Sequence, residues 1–161
     1  MNSLERVKLA INHQEPDLVP LDIGGTGVSQ IHYTAYTNLR RYLNLPEREA
    51  RITFIPEQLA QFETDIAERL ETDFQFVMPR APSSYELVFR DLGDYTAYTD
   101  EWGIGWKKPK NGGFYYDMYY HPLAKAETLE DFKAYKFPDP MDGFRYQNLR
   151  PEIESAVARG K

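Results

Sequence analysis

The sequence predicts an α/β chain, and three features carry the prediction. Apolar residues recur at helical spacing in several stretches, short apolar runs at 19–23 and 74–78 flank two of them, and the segment 85–121 is dense in β-formers broken by glycine turns. Strand, helices and strand in that order make a βαβ unit, whose parallel strands need further elements to cover their edges.

Ser3 suits an N-cap and Glu5 a first turn, with Leu4, Val7 and Ile11 on one face, so residues 4–12 read as a short helix that Pro16 stops. Val19 to Ile23 is the first predicted strand. Pro20 fits its start, because proline has no N–H to give a ladder, and the run ends at Gly24-Gly25. From Ser29 onward Ile31, Ala35, Leu39 and Tyr42 recur at three and four, a helix ending near Leu43. Pro56 opens the next helix, striped by Leu59, Phe62, Ile66 and Leu70. Phe74, Phe76 and Met78 alternate in the second strand, which Pro79 closes.

Between Tyr85 and His121, breaks at Leu92-Gly93-Asp94, Trp102-Gly103 and Asn111-Gly112-Gly113 mark a β-meander of three or four strands. Thr128 with Asp131 three residues on resembles a capping box before LEDFKAY, and PEIESAVAR forms a closing helix with Gly160 at its C-cap.

At 161 residues and 42% hydrophobic content, the chain can build the core of one ordinary domain. No apolar run approaches the roughly 18 residues of a membrane span, and MNSLERVKLAINHQ lacks the apolar centre of a signal peptide, so a cytoplasmic protein without membrane contact is expected. The absence of cysteine excludes disulfides, a thiolate nucleophile and cysteine-ligated metal within these residues. A net charge of −6 without a Lys/Arg block gives no footprint for nucleic acid.

The stretch ERVKLAINHQEPDLVPLDIGGT resembles the N-terminus of the uroporphyrinogen decarboxylase superfamily, where a helix leads through an N-H-x-E-P-D-x-V-P turn into the first barrel strand. TDFQFVMPR, TDEWGIGW and HPLAKAETLEDFKAYKFPDP resemble later segments of that superfamily in the same order. The resemblance implies the N-terminal portion of a (β/α)8 TIM-type barrel with the meander at 85–121 as an insertion, residues 1–161 forming a single, incomplete barrel domain. A full barrel needs about 250 residues. The superfamily includes decarboxylases of carboxylated tetrapyrroles and methyltransferases that serve corrinoid proteins. Decarboxylases carry two arginines after the first strand and an essential aspartate at the end of the second. Here the loop is IGGTGVSQIHY, and the position seven residues after Asp73 is Arg80. Both departures favour the methyltransferase-like branch. That branch implies zinc and a corrinoid for the full-length enzyme, no cofactor within this chain, inactivity of these residues alone, and a homo-oligomer or complementing chain as partner.

On that fold, Asp22 and the Gly24-Gly25-Thr26 turn lie on the face where barrel active sites gather, with Asp22 as a catalytic carboxylate and the turn binding a small-molecule or corrinoid substrate. The plainer alternative gives the glycines to a tight turn. His32 is a candidate proton donor one turn into the next helix, or a capping residue. Arg80 is a candidate catalytic partner for a substrate carboxylate, or a surface arginine. Glu101 and Trp102, beside Asp100, are candidate substrate-binding residues, or a turn with a packed tryptophan. FYYDMYY, residues 114–120, reads as a cross-strand aromatic ladder or a dimer surface.

Overall fold

The computed structural model describes residues 1–161. They divide into two compact units, Met1–Met78 with Leu149–Lys161, and Pro79–Asn148.

The first unit opens with helix α1 (Ser3–Ile11), whose N-cap is Asn2, one residue earlier than the sequence suggests. Asn2 and Glu5 form a reciprocal capping box that satisfies two of the helix's orphan N–H groups. Three very short strands follow, β1 (Ile31–His32), β2 (Ile52–Phe54) and β3 (Leu59–Ala60), with helix α2 (Tyr33–Tyr42) between the first two. They pair antiparallel in the order β1-β3-β2, Ala60 meeting both Ile31 and Ile52. Helix α3 (Thr64–Arg69) then sets Ile66 against Tyr36, Ala60 and Phe62 in a small buried core.

The second unit is a four-stranded antiparallel sheet, β4 (Arg90–Leu92), β5 (Tyr95–Thr99), β6 (Gly105–Pro109) and β7 (Asp117–Tyr120), neighbours in space as in sequence. Glycines at positive φ make its turns, Gly93 at +69° and Gly103 at +71°. Helix α4 (Leu129–Ala134) follows, with the Thr128/Asp131 capping box formed in both directions. A 3-10 turn at Gly143–Tyr146 closes the unit. Helix α5 (Leu149–Ala158) returns to the first unit, where Leu4 N donates to Gly160 O at 3.1 Å and Lys161 Nζ donates to the Thr72 carbonyl.

These elements overturn the expected barrel portion. Both sheets are antiparallel, and the runs 19–23 and 74–78 form no strand. The physical reason lies in their bonding. Asp73 N donates to Leu21 O, but the return bonds come from side chains: Leu21 N donates to Asp73 Oδ2 at 2.9 Å and Ile23 N to Thr72 Oγ1 at 3.4 Å. Carboxylate and hydroxyl take the places of carbonyls, so no ladder can propagate. The helix expected from Pro56 is also replaced. Gln58 adopts φ +56°, a left-handed conformation that ends any helix, and Leu59-Ala60 pair as the central strand before α3 begins. The spacing of Leu59, Phe62 and Ile66 is met by a strand, a link and a helix that share one core.

Candidate functional site

In the first unit, the loop 22–29 is built around Asp22. Its Oδ1 accepts from Gly25 N at 3.0 Å and Ser29 Oγ at 2.7 Å, and its Oδ2 accepts from Thr26 Oγ1 at 2.8 Å. Gly24 N donates to Ser29 O at 3.0 Å and closes the loop. An aspartate does this well because its short side chain reaches backbone two and three residues on. The carboxylate therefore organises the turn, and Thr26 spends its hydroxyl on the same task.

The glycines have an equally local reason. Gly24 sits at φ +75°, and a Cβ there would collide with the ring of Phe62. A Cβ on Gly25 would strike the side chain and backbone of Phe74. Both residues are buried, so what approaches their backbone is the protein's own aromatic side chains. His32 caps α2: its Nδ1 accepts from Thr34 N at 3.2 Å, and its ring lies 4.6 Å from that of Tyr33. Of the predicted residues in this unit, Asp22, Gly25 and Thr26 are joined by direct bonds.

A second polar centre in this unit has no counterpart among the predicted site residues. Arg40, 1% exposed, points from α2 into a cage of acceptors. Its Nη1 and Nη2 grip Asp65 at 2.9 and 2.7 Å, Nη1 also reaches Glu63 and the Tyr36 hydroxyl, and Nε and Nη2 donate to Pro46 O at 3.0 and 2.8 Å. A guanidinium can fill such a cage because it carries five N–H donors in a fixed plane. The Arg40 hydrogen bonds hold the Asp65 carboxyl below the usual carboxylate range despite its partial burial. Asp73 is also buried. Burial opposes its ionisation, yet the Leu21 N–H and the Ser3 and Arg6 side chains outweigh that and hold its pKa low. Arg6 in turn spans Asp73 and Asp17, and its bond to Asp17 lowers that carboxyl to about 2. The sequence signal for Arg40 was a charge on the apolar stripe of α2, four residues from Tyr36 and one from Leu39.

Beside these groups a cleft of about 1070 Å3 opens, lined by Ile23, Gly24, Phe62, Phe74 and Phe76, with Arg51 among its polar residues. Asp22 and His32 do not line it.

The second unit holds Arg80, Glu101 and Trp102. Glu101 is paired with Arg145, whose Nη2 reaches Glu101 Oε2 at 2.5 Å and whose Nε donates to Asp139 O at 2.9 Å. Arg80 meets the same arginine through backbone, Arg80 N donating to Arg145 O and Arg145 Nη1 to Arg80 O, while its guanidinium lies 6.0 Å from the Phe144 ring. Arg145 is thus the residue that links the predicted pair. Trp102 occupies the β5–β6 turn and is about half exposed. The neighbouring Asp100 shapes that turn, accepting from Trp102 N and Ile104 N at 2.9 Å and from Trp106 Nε1 at 2.8 Å.

The buried centre of this unit is Tyr98. Its ring packs edge-on to Phe89 and Tyr116 at 5.7 and 5.2 Å and parallel to Trp106 at 6.5 Å. Burial first, and the Asp100 charge second, push its phenol well above the ordinary tyrosine range; Tyr85 is raised for the same two reasons, with Glu101 adding to them. No group of three or more His, Cys, Asp or Glu side chains in either unit could hold a metal ion. No helix is long and apolar enough to cross a membrane. Comparison of the chain with protein-family models, with curated proteins and with solved structures finds no match in any of the three.

Proposed function

We propose that the chain is an assembly module whose cores are completed by a partner chain. One observation carries this reading. The accessible surface is 11084 Å2 for 18.8 kDa, whereas a compact monomer of that mass exposes about 8,300 Å2 and even two separate compact bodies sharing it expose about 10,000 Å2. Large apolar side chains contribute to it. Val28 is 97% and Val19 88% exposed, and apolar area left in water forfeits roughly 25 cal/mol per Å2. Surfaces of this kind mark sites where another protein binds. The carboxylates that an enzymatic reading would use are engaged instead in holding loops, Asp22 in the first unit and Glu101 in the second.

The test is fluorescence of an apolar dye with the purified chain, read beside sedimentation. Association that buries the patches dims the dye as concentration rises through the micromolar range. A chain that stays monomeric and leaves the dye dark at every concentration contradicts the proposal.

A second reading draws on the resemblance to corrinoid-serving methyltransferases and tetrapyrrole decarboxylases. The first unit's cleft supports it, being just above the roughly 300–1,000 Å3 that small-molecule sites span and lined by three phenylalanines. Titration with a corrinoid and with a porphyrin, followed by absorbance, tests it. A shift that weakens in Arg51→Ala favours this reading, and flat titrations with both compounds dismiss it.

A further inference from the structure

The two edges of the four-stranded sheet are built differently. An open edge presents unpaired N–H and C=O groups, which proteins usually shield with charge, proline or a covering element. Strand β4 has such a shield: Arg90 and Asp91 are two of its three residues, and Asp91 is bound to Lys110 at 2.7 Å. Strand β7 carries a single charge, Asp117 at its first position, and no lysine, arginine or proline, and all four of its residues are exposed. It pairs on one side alone, with β6, through Gly105↔Tyr120, Trp106↔Met118 and Lys107↔Asp117. Tyr119 is the extra residue of a bulge, and its ring is held by Lys107, 5.6 Å away.

We propose that β7 is the seam of a homodimer, in which the β7 strands of two copies pair antiparallel and join two four-stranded sheets into one of eight strands. The inference rests on the assembly reading and names its partner as a second copy of this chain. The strand is complementary to itself. Centred between Met118 and Tyr119, the antiparallel register sets each Asp117 opposite Tyr120 of the other copy, so the two like charges stand at opposite ends of the seam. Lys107 of the same sheet already faces Asp117. The area is of the required order as well. Phe114, Tyr115, Met118, Tyr119 and Tyr120 are 45% to 65% exposed. At about 200 Å2 for a large side chain they offer about 550 Å2 per copy. Full coverage of these side chains in both copies would bury at most about 1,100 Å2, at the roughly 1,000 Å2 threshold of a specific interface. A symmetric pairing of this kind closes on itself, as most natural homodimers do.

Sedimentation equilibrium of the whole chain tests the seam, with near-ultraviolet dichroism to confirm that each variant keeps its fold. The wild type is expected as a dimer in the micromolar range. Tyr120→Glu sets a carboxylate against Asp117 twice per dimer and should weaken association about tenfold, whereas Tyr120→Lys should preserve or tighten it. Asp117→Lys combined with Tyr120→Glu should restore the dimer. Equal loss in Tyr120→Glu and Tyr120→Lys, or no loss in either, overturns this seam and its register. A wild-type monomer overturns the seam too; if that monomer still brightens the apolar dye, the assembly reading survives with a different partner.

Discussion

The first unit is held by buried charge, the second by packed aromatic rings. In the first, Arg40 and Arg6 each tie together segments far apart in sequence, and the apolar core around Ile66 is small. In the second, Tyr98 gathers Phe89, Trp106 and Tyr116, and of its two ion pairs Lys110–Asp91 lies in solvent while Arg145–Glu101 is partly buried. Buried pairs are strong only while both partners remain, since a lone buried charge is costly; ring packing is lost in proportion to the area removed. The two units should therefore fail under different insults.

The largest effect is expected from Arg40→Ala, which strands Asp65 and the Pro46 carbonyl and should cost the first unit about 3–5 kcal/mol. Denaturant unfolding followed by far-ultraviolet dichroism reads it, because four of the five α-helices belong to that unit. Arg40→Lys should recover part of the loss and no more, for an ammonium cannot bind Asp65 in bidentate fashion. Tyr98→Ala removes the centre of the ring cluster at a cost of about 3–5 kcal/mol, and should appear in the second unit alone. Tryptophan emission reports it cleanly, since Trp102 and Trp106 both lie there. If either variant melted both units equally, the separation drawn between them would fail.

Gly24→Ala comes next. Positive φ costs about 1–3 kcal/mol for a residue with a Cβ, and contact with the Phe62 ring adds to it. A glycine that served ligand approach instead would tolerate alanine with unchanged thermal unfolding. Asp22→Ala should be milder, about 1–3 kcal/mol, from three hydrogen bonds lost inside one loop.

What the sequence revealed was local. The Thr128/Asp131 cap, the last helix closed by Gly160 at φ +76°, and the glycine turns at Gly93 and Gly103 each depend on a few neighbouring residues, and each is present. What it concealed was tertiary. Nothing within residues 19–23 announces that Thr72 and Asp73 will answer their backbone with side chains, which removes the barrel strand. The helix expected after Pro56 fails because Leu59-Ala60 find partners in β2, just upstream, and in β1, beyond helix α2. The site suffered similarly. Asp22 has the composition of a catalytic carboxylate, and only the position of Ser29, seven residues on, reveals that its acceptors are taken. Arg80 and Glu101 were singled out individually, but the residue that binds both, Arg145, stands well downstream of each in the chain.

The difference between the units is tested most directly by unfolding across pH. A carboxylate depressed in the folded state stabilises above its ordinary value of 3.8, and that contribution is lost as pH falls through the folded value. Asp65 and the buried Asp73 place this loss in the first unit, and Asp17, near 2 but more than a third exposed, adds less. The depressed carboxylates of the second, such as Asp91, are solvated and contribute little. A buried phenol has the opposite dependence: its raised pKa gives stability that is intact below 10.0 and lost as pH rises toward the folded value, which places alkaline failure at Tyr98. Helical dichroism should therefore collapse first on acidification below about pH 3.8 while tryptophan emission holds, and tryptophan emission should change first above about pH 10 while the helices persist. Loss of both signals together at both extremes would contradict two units held by different chemistry.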